Sequence, residues 1–168
     1  MSGASVWLSL GSNIAPRHNM ARMIDALGPL GTGLVVGRIL ELEPVGRSGP
    51  RFLNTVARLD AVPAPQHLKP ALEAIEIALG RPRWRPDASR LDRTADIDIL
   101  FSGAPPEPLP ADPWIEPMLR ELLAVEGHPM PLSALPAGVV LDWRGCPIGD
   151  RPRRLSMGPD GPRSAPLS

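Results

Sequence analysis

The chain has no tyrosine, two phenylalanines and one cysteine, and its 18 Lys and Arg are matched by 18 Asp and Glu. Each shortage excludes something. A single cysteine, Cys146, rules out an internal disulfide framework and suits a reducing compartment. Zero formal charge removes any global pull toward a polyanion. An RNA-binding sheet needs exposed aromatics on its central strands for base stacking, and so few rings argue against one. No run approaches the ~18 apolar residues of a membrane span. The opening MSGASVWLSLG lacks the basic start and long apolar middle of a secretory signal. We therefore expect a cytoplasmic protein with neither a membrane nor a nucleic-acid partner. Its 168 residues suit one domain with a real core. Proline, in contrast, is plentiful at 23 residues, many of them beyond position 100, so the second half should be rich in loops.

Val6, Leu8 and Leu10 alternate with Trp7 and Ser9 as a short strand, which Gly11-Ser12-Asn13 breaks with turn chemistry. Pro16 suits a first helical turn, and Met20, Met23, Ile24, Leu27 and Leu30 recur at helical spacing before Gly31. Residues 34–43 and 51–60 read as two strands, separated by the loop PVGRSGP. Leu68, Leu72, Ile75 and Leu79 mark a second helix that Gly80 closes, with Pro70 kinking it or resetting its start. Another strand begins near residue 95. The order strand, helix, strand, strand, helix, strand predicts an α+β, ferredoxin-like split βαββαβ arrangement. In it an antiparallel sheet carries both helices on one face and leaves the other for a ligand. Beyond Gly103 the pattern gives a helix over 114–125, a short strand over 139–143 and a loop-rich extension completing a domain over 1–149. Residues 150–168 bury almost nothing and are expected to be a disordered tail.

The stretch RTADIDIL, residues 93–100, carries most of the chemistry. In a strand, Asp96 and Asp98 share one face and Ile97 and Ile99 the other. Two carboxylates roughly 6–7 Å apart on one face repel each other unless water or a cation lies between them. Ahead of them, Arg81, Arg83, Arg85, Arg90 and Arg93 face only Asp87 and Asp92, so an anion site adjoins a cation site. Taken alone, such a strand face is more often solvated or paired with arginines, and most charge runs are ordinary surface. His18, His67 and His128 lack metal-ligand spacing, and Cys146 sits in a Gly-Cys-Pro turn with no base near it in sequence.

Four motifs in one order, LSLGSN, FLN, AIEIALGRPR and RTADIDIL, resemble the 6-hydroxymethyl-7,8-dihydropterin pyrophosphokinases over roughly residues 5–103. That resemblance implies transfer of pyrophosphate from ATP to a pterin hydroxymethyl group, giving AMP, in folate or related pterin biosynthesis. It implies that Asp96 and Asp98 hold two Mg²⁺ ions on the ATP phosphates and that Arg81, Arg83 and Arg93 contact the triphosphate, with Arg81 and Arg93 catalytic. Glu76 and Ile99 fall at further ATP positions. Phe52 falls at the position that stacks on the pterin and Asn54 at the one that hydrogen-bonds it, while Leu42, Pro44 and Val45 lie where backbone groups meet the ring. Mg²⁺ prefers a few carboxylates plus phosphate oxygens, arginine holds spreading phosphate charge, and an amide offers both donor and acceptor.

The chain also departs from the family. Leu42-Glu43-Pro44 stands where Thr-Pro-Pro is usual, and Arg90-Leu91-Asp92-Arg93-Thr94 where Trp-Gly-Pro-Arg-Thr is usual. Pro110-Ala111-Asp112-Pro113 carries an aspartate in place of a Pro-His histidine. Trp114 and Arg120 are then the candidates for a second stacking aromatic and a lost arginine. Two other readings stay open: a paralogue that binds pterin or nucleotide without catalysis, and an enzyme for a different hydroxymethylpterin.

Overall fold

Alternating apolar residues near the start build a central strand with two different faces. The computed structural model describes residues 3–46, 48–81 and 92–168. Strand β1 spans Ala4–Ser12, so Gly11 and Ser12 continue it rather than turn out of it. Helix α1 covers Pro16–Leu27 with proline in its first turn, and a 3₁₀ turn over Gly28–Leu30 follows. The single strand expected over 34–43 is two pieces, β2 (Gly33–Val36) and β3 (Leu40–Leu42), which pair in succession with the long β4 (Phe52–Val62). Helix α2 spans Leu68–Ala78. Pro70 lies in its first turn, where a missing N–H costs nothing. Then come β5 (Asp96–Ser102), α3 (Glu116–Val125), β6 (Leu141–Trp143), β7 (Cys146–Ile148), β8 (Arg153–Gly158) and β9 (Gly161–Pro166).

Among the described residues this is a mixed α+β chain with three helices and an antiparallel main sheet. The sheet runs β5-β1-β4-β2-β8-β9, with β3 also on β4, and β6 and β7 form a separate hairpin. On one face Val6, Leu8 and Leu10 pack with Met20, Met23, Ile24 and Leu27 of α1 and Leu68 and Leu72 of α2. Fully burying such a side chain contributes about 1.5–3 kcal/mol relative to leaving it in water.

The sequence-based picture needs two corrections. The opposite face is not wholly open, because α3 lays Met118, Leu119, Leu122 and Leu123 over Trp7, Val35 and Val56. Phe101 joins this cluster by stacking on Trp7, ring centroids 5.5 Å apart. Nor are residues 153–166 a disordered tail. They form the β8–β9 hairpin, joined to β2 through Leu34–Leu155, Val35–Arg154 and Val36–Arg153. Composition misleads here because a sheet extends by backbone hydrogen bonds, and only one apolar anchor, Leu155, has to be buried.

Candidate active site

Since α3 covers only part of its face, the end of the sheet where β3, β4, β1 and β5 meet stays open as a cavity of about 660 Å³. Its lining includes Leu42, Val45, Phe52, Asn54, Arg93, Asp96 and Asp98 from the sequence-predicted set, together with Ser9, Gly11, Glu43, Asp112, Trp114 and Ile115. Strand register explains the gathering. Gly11 pairs with Asn54 on one side and Asp96 on the other, so Asn54, Gly11 and Asp96 form one row across three strands. At the usual strand spacing, Asn54 and Asp96 then stand about 10 Å apart, with no side chain between them. A Cβ on Gly11 would lie 2.9 Å from the Asn54 Oδ1. The glycine keeps that amide in place.

The charged wall forms a network. Asp96 Oδ1 accepts from Arg81 Nη1 at 2.7 Å, and its Oδ2 accepts from Arg93 Nη1. Arg81 Nη1 also donates to Glu76 Oε1 at 3.0 Å. Glu76 is completely buried on α2, and the same oxygen accepts the Ile97 backbone N–H at 2.7 Å. A carboxylate this deep is tolerable only when paired and hydrogen-bonded. Asp98 pairs with Ser9 one step along β5, exposed toward the cavity. Ile97 packs into the core, while Ile99 is 40% exposed and lines no part of the cavity.

The Gly-Ser-Asn segment has a role that the sequence reading missed. Asn13 Oδ1 accepts from the Arg93 backbone N–H at 2.7 Å, its Nδ2 donates to Asp92 Oδ1 at 2.9 Å, and its own backbone N–H donates to the Arg93 carbonyl at 2.9 Å. Asn13 therefore fixes the backbone at Arg93, just ahead of β5. An 80-residue separation hides this in the sequence; the signal available was an amide and a serine set directly after an apolar strand.

Other predicted positions fall elsewhere. Arg83, Arg85 and Arg90 lie outside the described residues. Pro44 lies between the lining residues Glu43 and Val45. Trp114 reaches the cavity wall, 40% exposed, and Asp112 stands near it. Arg120 does not line the cavity: it binds Glu116 one helical turn away and approaches the Met130 sulfur. Among the described residues no group of three or more Asp, Glu, His or Cys side chains is placed to hold a metal. No described helix is long and apolar enough to cross a membrane.

Carboxylates and guanidiniums stand on one wall of the cavity, and an amide with an aromatic on the other. The chain belongs to the 7,8-dihydro-6-hydroxymethylpterin-pyrophosphokinase family, whose model matches residues 7–129. A 2-amino-4-hydroxy-6-hydroxymethyldihydropteridine pyrophosphokinase of Pseudomonas aeruginosa is 43% identical over 105 residues, covering 58% of this chain and 61% of that protein. The protein of the same name from Porphyromonas gingivalis is 37% identical over 107 residues, 62% of this chain and 73% of the relative. The match thus spans about three fifths of the Pseudomonas protein's length.

Proposed function

We propose that this chain transfers pyrophosphate from ATP to the hydroxymethyl group of 6-hydroxymethyl-7,8-dihydropterin, releasing AMP, as a cytoplasmic step of folate biosynthesis. The single observation that carries the reading is the row Asn54, Gly11, Asp96, which sets a ring-recognising amide and a phosphate-handling wall on either side of a bare glycine. Phe52 stacks on the pterin, Asn54 pairs with its polar edge, and the backbone of Leu42, Pro44 and Val45 closes the ring's rim. Trp114 faces the same space and supplies a second ring. The hydroxymethyl oxygen attacks the β-phosphorus of ATP. Arg93 and Arg81 hold the charge that spreads over the transferring group, which is most of what such a reaction asks of a protein. Glu76 keeps Arg81 in place, and the family resemblance gives Arg83 and Ile99 further contacts with ATP.

The donor set fits Mg²⁺. Two carboxylates on one strand face leave most of the coordination shell to phosphate oxygens and water, as Mg²⁺ prefers. Asp96 and Asp98 would hold the metal, two ions in this reading, and bound there it supplies charge neutralisation and alignment of the phosphates. The strand order β5-β1-β4-β2, with α1 and α2 on one face, supports a ferredoxin-like split βαββαβ unit within one pyrophosphokinase-like domain.

Asp112 favours a second reading. An acidic side chain on the cavity wall, where the family has a histidine, suits a differently substituted hydroxymethylpterin. One experiment separates the two. Purified chain with ATP, Mg²⁺ and 6-hydroxymethyl-7,8-dihydropterin should give AMP and the pyrophosphorylated pterin in equal amounts by mass spectrometry. Binding of that pterin without product moves the reading to another hydroxymethylpterin or to a binding-only paralogue; no binding of pterin or ATP refutes both.

A further inference from the structure

We propose that Arg81 and Arg93 cage Asp96 in the nucleotide-free protein, so that a divalent metal enters this site together with nucleotide phosphates and not ahead of them. This rests on the reading of Asp96 as a metal ligand. Both of its carboxylate oxygens are taken, Oδ1 by Arg81 at 2.7 Å and Oδ2 by Arg93. The three side chains are only 17%, 10% and 23% exposed, respectively, for Asp96, Arg81 and Arg93, so water screens these charge-assisted bonds poorly. A cation approaching Asp96 meets two guanidinium charges and has to displace at least one of them. Arg81 is not easily displaced, because the same Nη1 is shared with Glu76 Oε1 at 3.0 Å. That oxygen also anchors the Ile97 amide, next in chain to Asp96. Glu76 is thereby a positioning residue for both the carboxylate and its blocker.

A triphosphate reverses the balance. Its oxygens offer guanidinium groups a better-matched, multiply charged partner than one carboxylate. Arg93 already lines the cavity and moves onto the phosphates, freeing Asp96 Oδ2 for the metal. Arg81 Nε is buried without an acceptor among the described residues, a deficit that a phosphate oxygen or its water fills once the pair is loosened. Metal and triphosphate then bind with positive coupling, and the coupling is reciprocal.

Mn²⁺ followed by electron paramagnetic resonance tests this without turnover, on the full chain and with α,β-methylene ATP as the non-transferable nucleotide. The free protein should bind Mn²⁺ poorly, and Arg93→Met should raise its nucleotide-free Mn²⁺ affinity by about tenfold through removal of one nearby positive charge. Adding Asp96→Asn to Arg93→Met should erase that gain. If Arg93→Met loses its far-UV circular dichroism signature, Arg93→Lys serves instead, with a smaller gain because its charge remains. Tight Mn²⁺ binding to the free wild type that Asp96→Asn removes would overturn the cage. So would a folded Arg93 variant without any gain, provided Asp96→Asn still weakens the ternary Mn²⁺ complex. If Asp96→Asn leaves that ternary complex unchanged, the metal reading itself fails, and the cage with it.

Discussion

At the β5-β1-β4 end of the sheet, side chains reach backbone groups far away in the chain: Asn13 grips Arg93, and Glu76 grips Ile97. At the β2-β8-β9 end the ladder does most of that work, with Leu155 as the buried anchor and Asp150 binding Arg153 through two hydrogen bonds at 2.7 and 3.0 Å. The first end lies almost wholly within the stretch that matches the family, residues 7–129, whereas β8 and β9 of the second lie beyond it. A site that handles charge needs its side chains fixed from several directions, whereas a sheet edge needs only to be extended and blunted. Pro162 and Pro166 on the outer strand β9 contribute to the blunting, since neither can donate to a further strand.

If that contrast is right, mutations at the two ends should separate stability from activity. Leu155→Ala should cost about 2–4 kcal/mol of stability through the lost burial and the cavity left behind, while kcat and both KM values stay near wild type at low temperature. Denaturant melts paired with rates check this, and a kcat loss matching that of a site variant would erase the distinction. Asn13→Ala should cost about 1–3 kcal/mol by removing the hydrogen bonds that Asn13 makes to the Arg93 N–H and to Asp92, and should also lower kcat. Equal kcat in the mutant would mean that Arg93 is held by something else. Gly11→Ala should be milder still. The new methyl meets the movable Asn54 amide, so KM for the pterin rises severalfold and KM for ATP stays put. A change confined to ATP would break the proposed division of the row.

The smallest effect concerns acid. The hydrogen bond from Arg153 holds the Asp150 carboxyl below its ordinary value of 3.8, against a partial desolvation that acts the other way. A group lowered on folding contributes stability that is present above its unfolded pKa, near 4, and that fades as pH falls through the folded value. Because Asp150 is partly exposed, screening leaves only a few tenths of a kcal/mol. Asp150→Asn should flatten the decline in melting temperature between about pH 4 and pH 2 by that small amount, and an unchanged slope would assign the decline to other carboxylates.

Much of the cavity's lining was legible because strand periodicity is strict. RTADIDIL places its aspartates on one face and Ile97 in the core, and FLN puts Phe52 and Asn54 on the same side of β4. Register was not legible. Nothing in Gly11 announces that it stands between Asn54 and Asp96, and nothing in Asn13 announces Arg93. The β8–β9 hairpin was misread for a related reason: RPRRLSMG has little to bury, and backbone pairing leaves no compositional mark. The split between β2 and β3 at Gly37 was also hidden; a Cβ there would come within 3.2 Å of Val56.

The most direct test of the account is AMP release by Asp98→Ala beside wild type, with pterin binding followed independently by its fluorescence. The account predicts that Asp98→Ala loses at least about a hundredfold in pterin-dependent AMP release, as removal of a transition-state charge partner does, while pterin binding and melting temperature hold. Turnover retained within a few-fold would contradict it, because the acidic strand would then be scaffold and the phosphate-handling wall would lie elsewhere.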